Sequence, residues 1–377
     1  MRIKSITVQN FRNIALAEMA LDGPRQFFLG ANAQGKTNLI EAAAFITALR
    51  SFRASDDRAL IAHGQPEAAI SCLVEHEKFG ETKIIIRLRP GGKEVLCDGE
   101  RIRRLADYLG RFPTVVFSSQ DILLIRGSPG GRRRWLDLVL AETDHAYLRA
   151  LQDYHQALAG RNQLLKNSAG NITPAIAAQL SAFETPLAAS AAELSTRRAA
   201  GVLALGALMT AAYARIHPGA ERATLAYAPA NAAAAGATLD ATAWSDILAR
   251  GRPRDAIMRT TLAGPHRDDC EFAIDARPAR EFASEGQQRS LAIALRMAES
   301  EYLRAATGVT PVLLADDVLG ELDPDRRRRF WAGFNETETA AAAAGASPCQ
   351  ILATGTTAPD AELGAWQLHQ VRAGVFS

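Results

Sequence analysis

Cysteine is sparse and scattered in this sequence. Cys72, Cys97, Cys270 and Cys349 form no CxxC pair and no metal-type spacing, which argues against a zinc ribbon or disulfide framework and points to reduced thiols in a cytosolic protein. No run approaches the roughly 18 consecutive strongly apolar residues that span a bilayer. The opening MRIKSITVQNF alternates like a strand and lacks the apolar run of a signal peptide. The expectation is a cytoplasmic chain for which any membrane role needs a separate partner. Excess charge is also missing: the formal net charge is +2, so nucleic-acid binding cannot rest on global charge and needs local basic patches. Lysine is rare, with six among 43 basic residues, and the arginine excess suits phosphate binding. Aromatics scarcely interleave with the basic clusters, so base stacking is not expected to dominate any nucleic-acid contact.

What remains is ordinary globular material, 48% apolar and long enough at 377 residues for two or three domains. Residues 1–125 read as strands around one helix, with a hairpin turning at Gly91-Gly92. From about 130 the chain becomes helical and alanine-rich. Leu148, Leu151, Tyr154, Leu158 and Leu165 recur near a 3.5-residue period, and Ile176, Leu180, Phe183, Leu187 and Leu194 follow a turn at NSAGNITP. The two runs predict an antiparallel helical hairpin with arms on the order of 30 Å. PANAAAAGATL reads as a low-complexity loop, and strands return after about 255 at EFAID, PVLLADDV and CQILATG. The predicted fold class is α/β: a split head at 1–125 and 255–377, with a mainly helical domain inserted at 126–254.

GANAQGKT, Gly30 to Thr37, fits G-x-x-x-x-G-K-S/T between a predicted strand and a predicted helix, the context a phosphate-binding loop requires. Gly30, Ala31, Asn32, Ala33, Gln34 and Gly35 would curl backbone N–H groups around a β-phosphate. Lys36 would neutralise β/γ oxygens and Thr37 would offer a hydroxyl to Mg²⁺. PVLLADDVLGELD supplies an acid pair at a strand tip, with Asp316 assigned to the metal and Asp317 to polarising the attacking water. An N-K-x-D signature is absent, which favours adenine over guanine. Gln120 is a further candidate to touch metal or water.

A second anion-binding element stands at residues 281–299, EFASEGQQRSLAIALRMAE. Ser284 caps an amphipathic helix, Gly286 permits close approach, and Gln287 lies in the first turn. One site does not need two cradles. Ser284 is therefore expected to meet the γ-phosphate held by a second copy, sandwiching two ATP molecules in a two-fold dimer.

With these elements in place the chain resembles the RecF family of bacterial repair proteins, within the ABC-type heads that include the SMC proteins. The similarity runs through VQNFRN, GANAQGKTNLIEA, VVFSSQDILLIRGSPGGRRRWLD, LAGRNQLLK, GPHRDD, SEGQQRSLAIALRMAE and LLADDVLGELDPDRR. The resemblance implies a P-loop ABC-type ATPase head with ATP-dependent dimerisation and weak ATPase activity. It implies binding to gapped or single-strand/double-strand junction DNA, and cooperation with RecO and RecR in loading RecA during gap repair and the SOS response. The chain departs from the family pattern at Ala33, usually glycine, at Ala159-Gly160, where glutamine is usual, and at Gly320, where serine is common. ILATGTT ends in threonines rather than the histidine of many ABC ATPases, which leaves the γ-phosphate sensor unassigned.

For DNA the best basic group is SPGGRRRW, read as a Gly/Pro loop bringing Arg132, Arg133 and Arg134 to one backbone. Arg101, Arg103 and Arg104 form another basic cluster, and the run Arg326 to Arg329 reads as a solvated face. His266, Asp268 and Asp269 in GPHRDD lack further ligands for a metal and are given no catalytic role. Three rivals are weighed: the nucleotide-binding subunit of a membrane ABC transporter, an SMC head, and a scaffold that binds ATP without hydrolysing it. The Ser-Glu-Gly signature and the inserted hairpin speak against the first, the lack of long coiled-coil arms against the second, and Asp316-Asp317 against the third.

Overall fold

The computed structural model describes every residue except 55, 169, 218, 232–238, 318–323, 344–347 and 360–363. In chain order the elements are β1 (Arg2–Phe11), β2 (Ile14–Ala20), β3 (Arg25–Leu29), α1 (Lys36–Ala48), β4 (Ala68–His76), β5 (Gly80–Arg89), β6 (Gly92–Cys97), β7 (Glu100–Arg101) and β8 (Thr114–Ser118). Next come α2 (Ile122–Arg126), α3 (Pro129–Thr143), α4 (His145–Asn167), α5 (Pro174–Ile216), β9 (Ala223–Ala228) and α6 (Ala241–Met258). They are followed by β10 (Asp269–Ile274), β11 (Arg277–Pro278), α7 (Ala279–Phe282), α8 (Glu285–Thr307), β12 (Val312–Asp316), α9 (Pro324–Ala343), β13 (Ile351–Gly355), β14 (Gln367–Arg372) and β15 (Val375–Phe376). Residues 232–238 of the alanine-rich stretch and Gly320 lie outside the described residues.

The chain divides into two compact units. The first comprises residues 1–122, 211–221 and 289–377. It holds two six-stranded sheets, β2-β1-β4-β5-β6-β7 and β15-β14-β3-β13-β12-β8. The former is an antiparallel meander whose strands alternate buried and less buried positions, as Ile70, Cys72 and Val74 do on β4, because one face covers the core. In the latter, β14, β3, β13, β12 and β8 run parallel. β12 and β13 are buried at every position, so their sequences read as unbroken apolar runs rather than alternation. Phe28, Leu39, Ile40, Phe45, Leu314 and Leu352 join the strands of the meander in one core.

The second unit comprises residues 123–210 and 222–288. Residues 255–288, grouped with the head on sequence grounds, fall within it. EFAID lies in β10, which pairs with β9 and β11 in a separate three-stranded sheet. The hairpin periodicity is visible in burial: Leu148, Tyr154, Leu158, Leu165, Leu180, Leu187 and Leu194 are all buried. The second arm is longer than predicted, with α5 running 43 residues through Pro186, since the first Pro-Gly stop signal after Leu194 is Pro218-Gly219. Among the described residues α5 is also the one helix long and apolar enough to cross a membrane, a correction to the sequence reading. Alanine, leucine, valine and isoleucine give it that character, and in the second unit its Glu184, Arg197 and Arg198 are each in an ion pair. All four cysteines are free and buried, and burial pushes the Cys72 and Cys270 thiols up to about 12.

Candidate nucleotide site and its surroundings

Parallel register brings the chemistry of the first unit to one sheet edge. Gly355 pairs with Leu29, the last residue before the phosphate loop, while Asp316 lies between Thr354 and Ser118 on its flanking strands. The ends of β3, β13, β12 and β8 therefore emerge side by side, the usual ligand-binding edge of a parallel α/β sheet.

The loop is fitted closely at both glycines. A Cβ on Gly30 would stand 2.4 Å from the Val371 carbonyl oxygen, and Gly35 caps α1 at φ 106 with the Asn13 side chain 3.0 Å from where its Cβ would be. Gly374 donates to the Gln34 carbonyl at 2.8 Å and Ala373 donates to the Gln34 side-chain oxygen at 2.7 Å, so the β14–β15 turn pins the crest. Ala33 takes φ 63, a left-handed conformation that costs an L-residue roughly 1–2 kcal/mol, which explains the preference for glycine there. Ala31, Asn32 and Ala33 are exposed along the loop.

Lys36 is nearly buried and its ammonium donates to the Gly30 and Ala31 carbonyls at 2.6 and 2.8 Å. Burial lowers its pKa, and Asp317 and Asp316 oppose that shift. Thr37 donates to Asp316 Oδ1 at 2.8 Å, and Thr354 donates to the same oxygen at 3.0 Å while accepting the Asp317 amide at 3.0 Å. Burial raises the Asp316 carboxyl despite those two hydroxyls. Asp317 sits at φ 54, a strained turn out of the strand. Thr354, one of the threonines noted in place of a histidine, thus brackets the acid pair.

Thr37 and Asp316 are hard oxygen donors within one hydrogen bond of each other, a donor set that fits Mg²⁺. Gln120 is exposed in the turn after Ser118, two residues beyond the partner of Asp316. That turn is a capping box closed by Ser118 and Asp121, and Asp121 also holds Arg296 at 2.6 Å.

Sequence reasoning missed a buried carboxylate one turn along α1. Glu41 is fully buried and accepts from Arg12 at 3.0 and 2.8 Å, with Arg53 at 3.5 Å and Ser51 also on it. Arg53 reaches Asn38 at 3.1 Å, and Asn38 donates to Asn13 at 2.7 Å. The available signal was VQNFRN, quoted for resemblance without a role for its arginine.

In the second unit Ser284 caps α8 reciprocally. The Gln287 amide donates to the Ser284 hydroxyl at 3.3 Å, and the Ser284 amide donates to the Gln287 side chain at 2.7 Å. Ser284 and Glu285 are exposed, and Gly286 is half-buried. Gln288, buried beneath, donates to the Ala279 and Ala283 carbonyls at 3.0 Å each and accepts from Arg126, fixing the elbow between α7 and α8.

The arginine group departs from expectation. SPGGRRRW is not a loop: Ser128 is the N-cap residue and Pro129 the first position of α3, so successive arginines point in different directions. Arg132 is 4% exposed and grips Asp269 with two bonds of 2.7 Å, while also donating to the Leu124 and Gly127 carbonyls. It has no face left for a phosphate. Arg133 is half-buried and donates to the Asp268 carbonyl, and Arg134 is the exposed member.

GPHRDD is a buried polar turn. His266 Nε2 faces the Thr261 carbonyl at 3.1 Å, which can only accept, so Nδ1 accepts from the Tyr154 hydroxyl at 2.6 Å. Burial pushes this imidazole down from 6.5 to about 4. The unfolded chain therefore takes up a proton that the folded one refuses, and stability falls as pH drops from 6.5 towards about 4. Thermal unfolding followed across that window is expected to show a shallower decline for His266→Gln than for the parent. Parallel profiles would mean that other groups, His76 and His369 or the carboxylates, set the acid limit.

A family model for the RecF/RecN/SMC N-terminal domain matches residues 2–342. The chain is 37% identical over 345 residues to the DNA replication and repair protein RecF of Synechococcus sp. (strain JA-2-3B'a(2-13)), covering 89% of each. It is 38% identical over 336 residues to RecF of Anaeromyxobacter sp. (strain Fw109-5), covering 88% of this chain and 89% of that protein. The solved structure of the recombination mediator protein RecF-ATP in the RecFOR pathway superposes with a TM-score of 0.87 at 28% identity, covering 100% of this chain and 96% of that one. An Smc head domain from Pyrococcus furiosus, at 18% identity and a TM-score of 0.55, shares the fold. A family model spanning residues 2–342 and a relative 37% identical over 89% of the chain show that the chain belongs to the RecF family.

Proposed function

We propose that this chain is an ATP-gated DNA-binding protein of recombinational gap repair. ATP joins two copies, the dimer holds gapped or single-strand/double-strand junction DNA, and weak, DNA-stimulated hydrolysis releases it. In this reading it works with RecO and RecR to load RecA, in the cytoplasm, during replication-linked repair and the SOS response. The carrying observation is the cluster of Lys36, Thr37, Asp316 and Thr354 at one sheet edge. The structural relative in the RecFOR pathway carries ATP. The full-length likeness to RecF proteins disfavours a membrane transporter subunit.

The geometry supports the following roles. Lys36 meets phosphate oxygens from the loop side. Thr37 and Asp316 would hold Mg²⁺, which would supply positive charge to offset that developing on the phosphate. Asp317 orients the attacking water, and Thr354 keeps both acids in register. The exposed cap at Ser284, with Gly286 and Gln287, meets the γ-phosphate held by the second copy. Arg134 is the remaining SPGGRRRW candidate for DNA.

Sedimentation with and without ATP tests the gate: the chain is expected to dimerise only with ATP. Ser284→Arg should bind ATP as the parent does, yet remain monomeric and lose hydrolysis. Normal turnover by that variant would refute the shared site.

A further inference from the structure

The GPHRDD turn of the second unit gathers positive charge from three elements. Burial, and after it the closeness of Arg267, Arg133 and His155, pushes the His266 imidazole down to about 4, so these groups surround one neutral ring. Arg133 comes from α3, His155 from α4 and Arg267 from the turn itself. Tyr154 stands between the two imidazoles, its ring centroid 5.9 Å from both. Arg267 is exposed, and its guanidinium makes one long bond, 3.4 Å, to the Thr261 carbonyl. His155 is exposed too. Arg133 is half-buried and spends one amine on the Asp268 carbonyl at 2.7 Å. Burial and the Arg198 charge lower its pKa against the pull of Asp269, Asp137 and Asp268. Those acids are all committed elsewhere. Asp269 takes two bonds from Arg132, Asp137 holds Arg198, and buried Asp268 accepts from the Tyr227 hydroxyl and, at 2.9 Å, from the Ala230 amide. Among the described residues neither Arg133 nor Arg267 forms an ion pair.

A solvated charged face keeps its cations apart or pairs them with acids. Here two guanidinia are drawn together while the neighbouring carboxylates are turned to other donors. Like charges held this way repel, and an anion bound across them relieves the repulsion. The cluster brings no aliphatic or aromatic anchor of the kind protein interfaces are centred on. A nucleic-acid backbone asks for nothing more than charge and donors. We infer that the GPHRDD turn is a seat for the phosphate backbone of DNA, with Arg267 and Arg133 each meeting a phosphate and His155 donating from its ring. This seat rests on the gap-repair reading above and extends the DNA contact beyond Arg134. His266 is then a positioning residue, holding the turn through Tyr154 and the Thr261 carbonyl, and Asp268 and Asp269 act likewise through Tyr227 and Arg132.

With ATP present, a gapped duplex titrated across a salt series counts phosphate contacts, because log affinity falls by about 0.9 per decade of salt for each one. Arg267→Gln and Arg133→Gln should each reduce that slope by about one and weaken binding by about five- to tenfold near 0.1 M salt. The loss should be the same on gapped duplexes of different sequence, since such contacts read no bases. Arg267→Lys keeps the charge and should restore the slope. Unchanged thermal unfolding confirms that the variants fold, and the exposed Arg267 carries the test alone if Arg133→Gln is destabilised. If the parent binds DNA and Arg267→Gln matches it in affinity and slope, the turn is not the seat while the gap-repair reading stands. If the parent fails to bind DNA, that reading falls and the seat with it. A weaker affinity with an unchanged slope means that no phosphate contact was lost, which overturns the inference. If inorganic phosphate at constant ionic strength binds the parent and not Arg267→Gln, while both bind DNA equally, the occupant is a free anion, which overturns it too.

Discussion

Lys36→Met is expected to cut ATP hydrolysis by about 10²- to 10³-fold, the usual cost of removing one preorganised donor from a developing oxyanion. The ammonium does more than attract phosphate. Asp316 and Asp317 stand at the same edge, and Lys36 feels both. Without its charge the two carboxylates face the polyphosphate with nothing on the loop side to balance them. At an effective dielectric near 20, a pair of unit charges about 4 Å apart interacts by roughly 4 kcal/mol, which is enough for an effect of this size. Lys36→Arg is expected to rescue poorly, because a planar guanidinium does not reproduce a point charge lying on the Gly30 and Ala31 carbonyls. Phosphate release and equilibrium nucleotide binding, measured together, separate lost binding from lost chemistry. Parental hydrolysis in the methionine variant would place the γ-phosphate away from this loop.

The second large effect concerns stability. Arg161 is fully buried and donates to Glu184 at 3.1 and 3.0 Å, Asp255 at 2.7 Å, Thr261 at 2.8 Å and the Leu248 carbonyl at 3.3 Å. Arg161→Met keeps the volume and removes the charge. Glu184 retains Arg252, and Asp255 retains the Leu262 amide, but one buried carboxylate charge is left uncompensated. Breaking such a pair from one side costs about 3–5 kcal/mol. Denaturant unfolding should register a loss of that order in the second unit, and adding Asp255→Asn should restore part of it. If the single substitution costs under about 1 kcal/mol, the network is solvated or adaptable rather than rigid.

Lys36, Asp316 and their surroundings show what could and could not be read ahead of the fold. Lys36 stands inside an eight-residue pattern whose spacing is itself the geometry, and Asp316 ends a short apolar run of strand length. Local chemistry was sufficient for both. Thr354 and Asp316 meet because β12 and β13 lie in parallel register, and Thr37 lies 279 positions from the acid it touches. No local pattern carries such distances. Arg132 was misread for the same reason: its partner Asp269 is 137 positions away, so a proline, two glycines and three arginines looked like a basic loop. The helical hairpin was visible in its periodicity, but the reach of α5 was not, because beyond Leu194 frequent alanines blur the apolar period until the stop at Pro218-Gly219.

The buried thiols have a consequence for the conditions under which such a protein works. Attack on peroxide requires a thiolate, and a thiol pushed up to about 12, as at Cys72 and Cys270, supplies almost none at neutral pH. With all four thiols inside the fold, oxidants that damage DNA find no ready thiol on the chain.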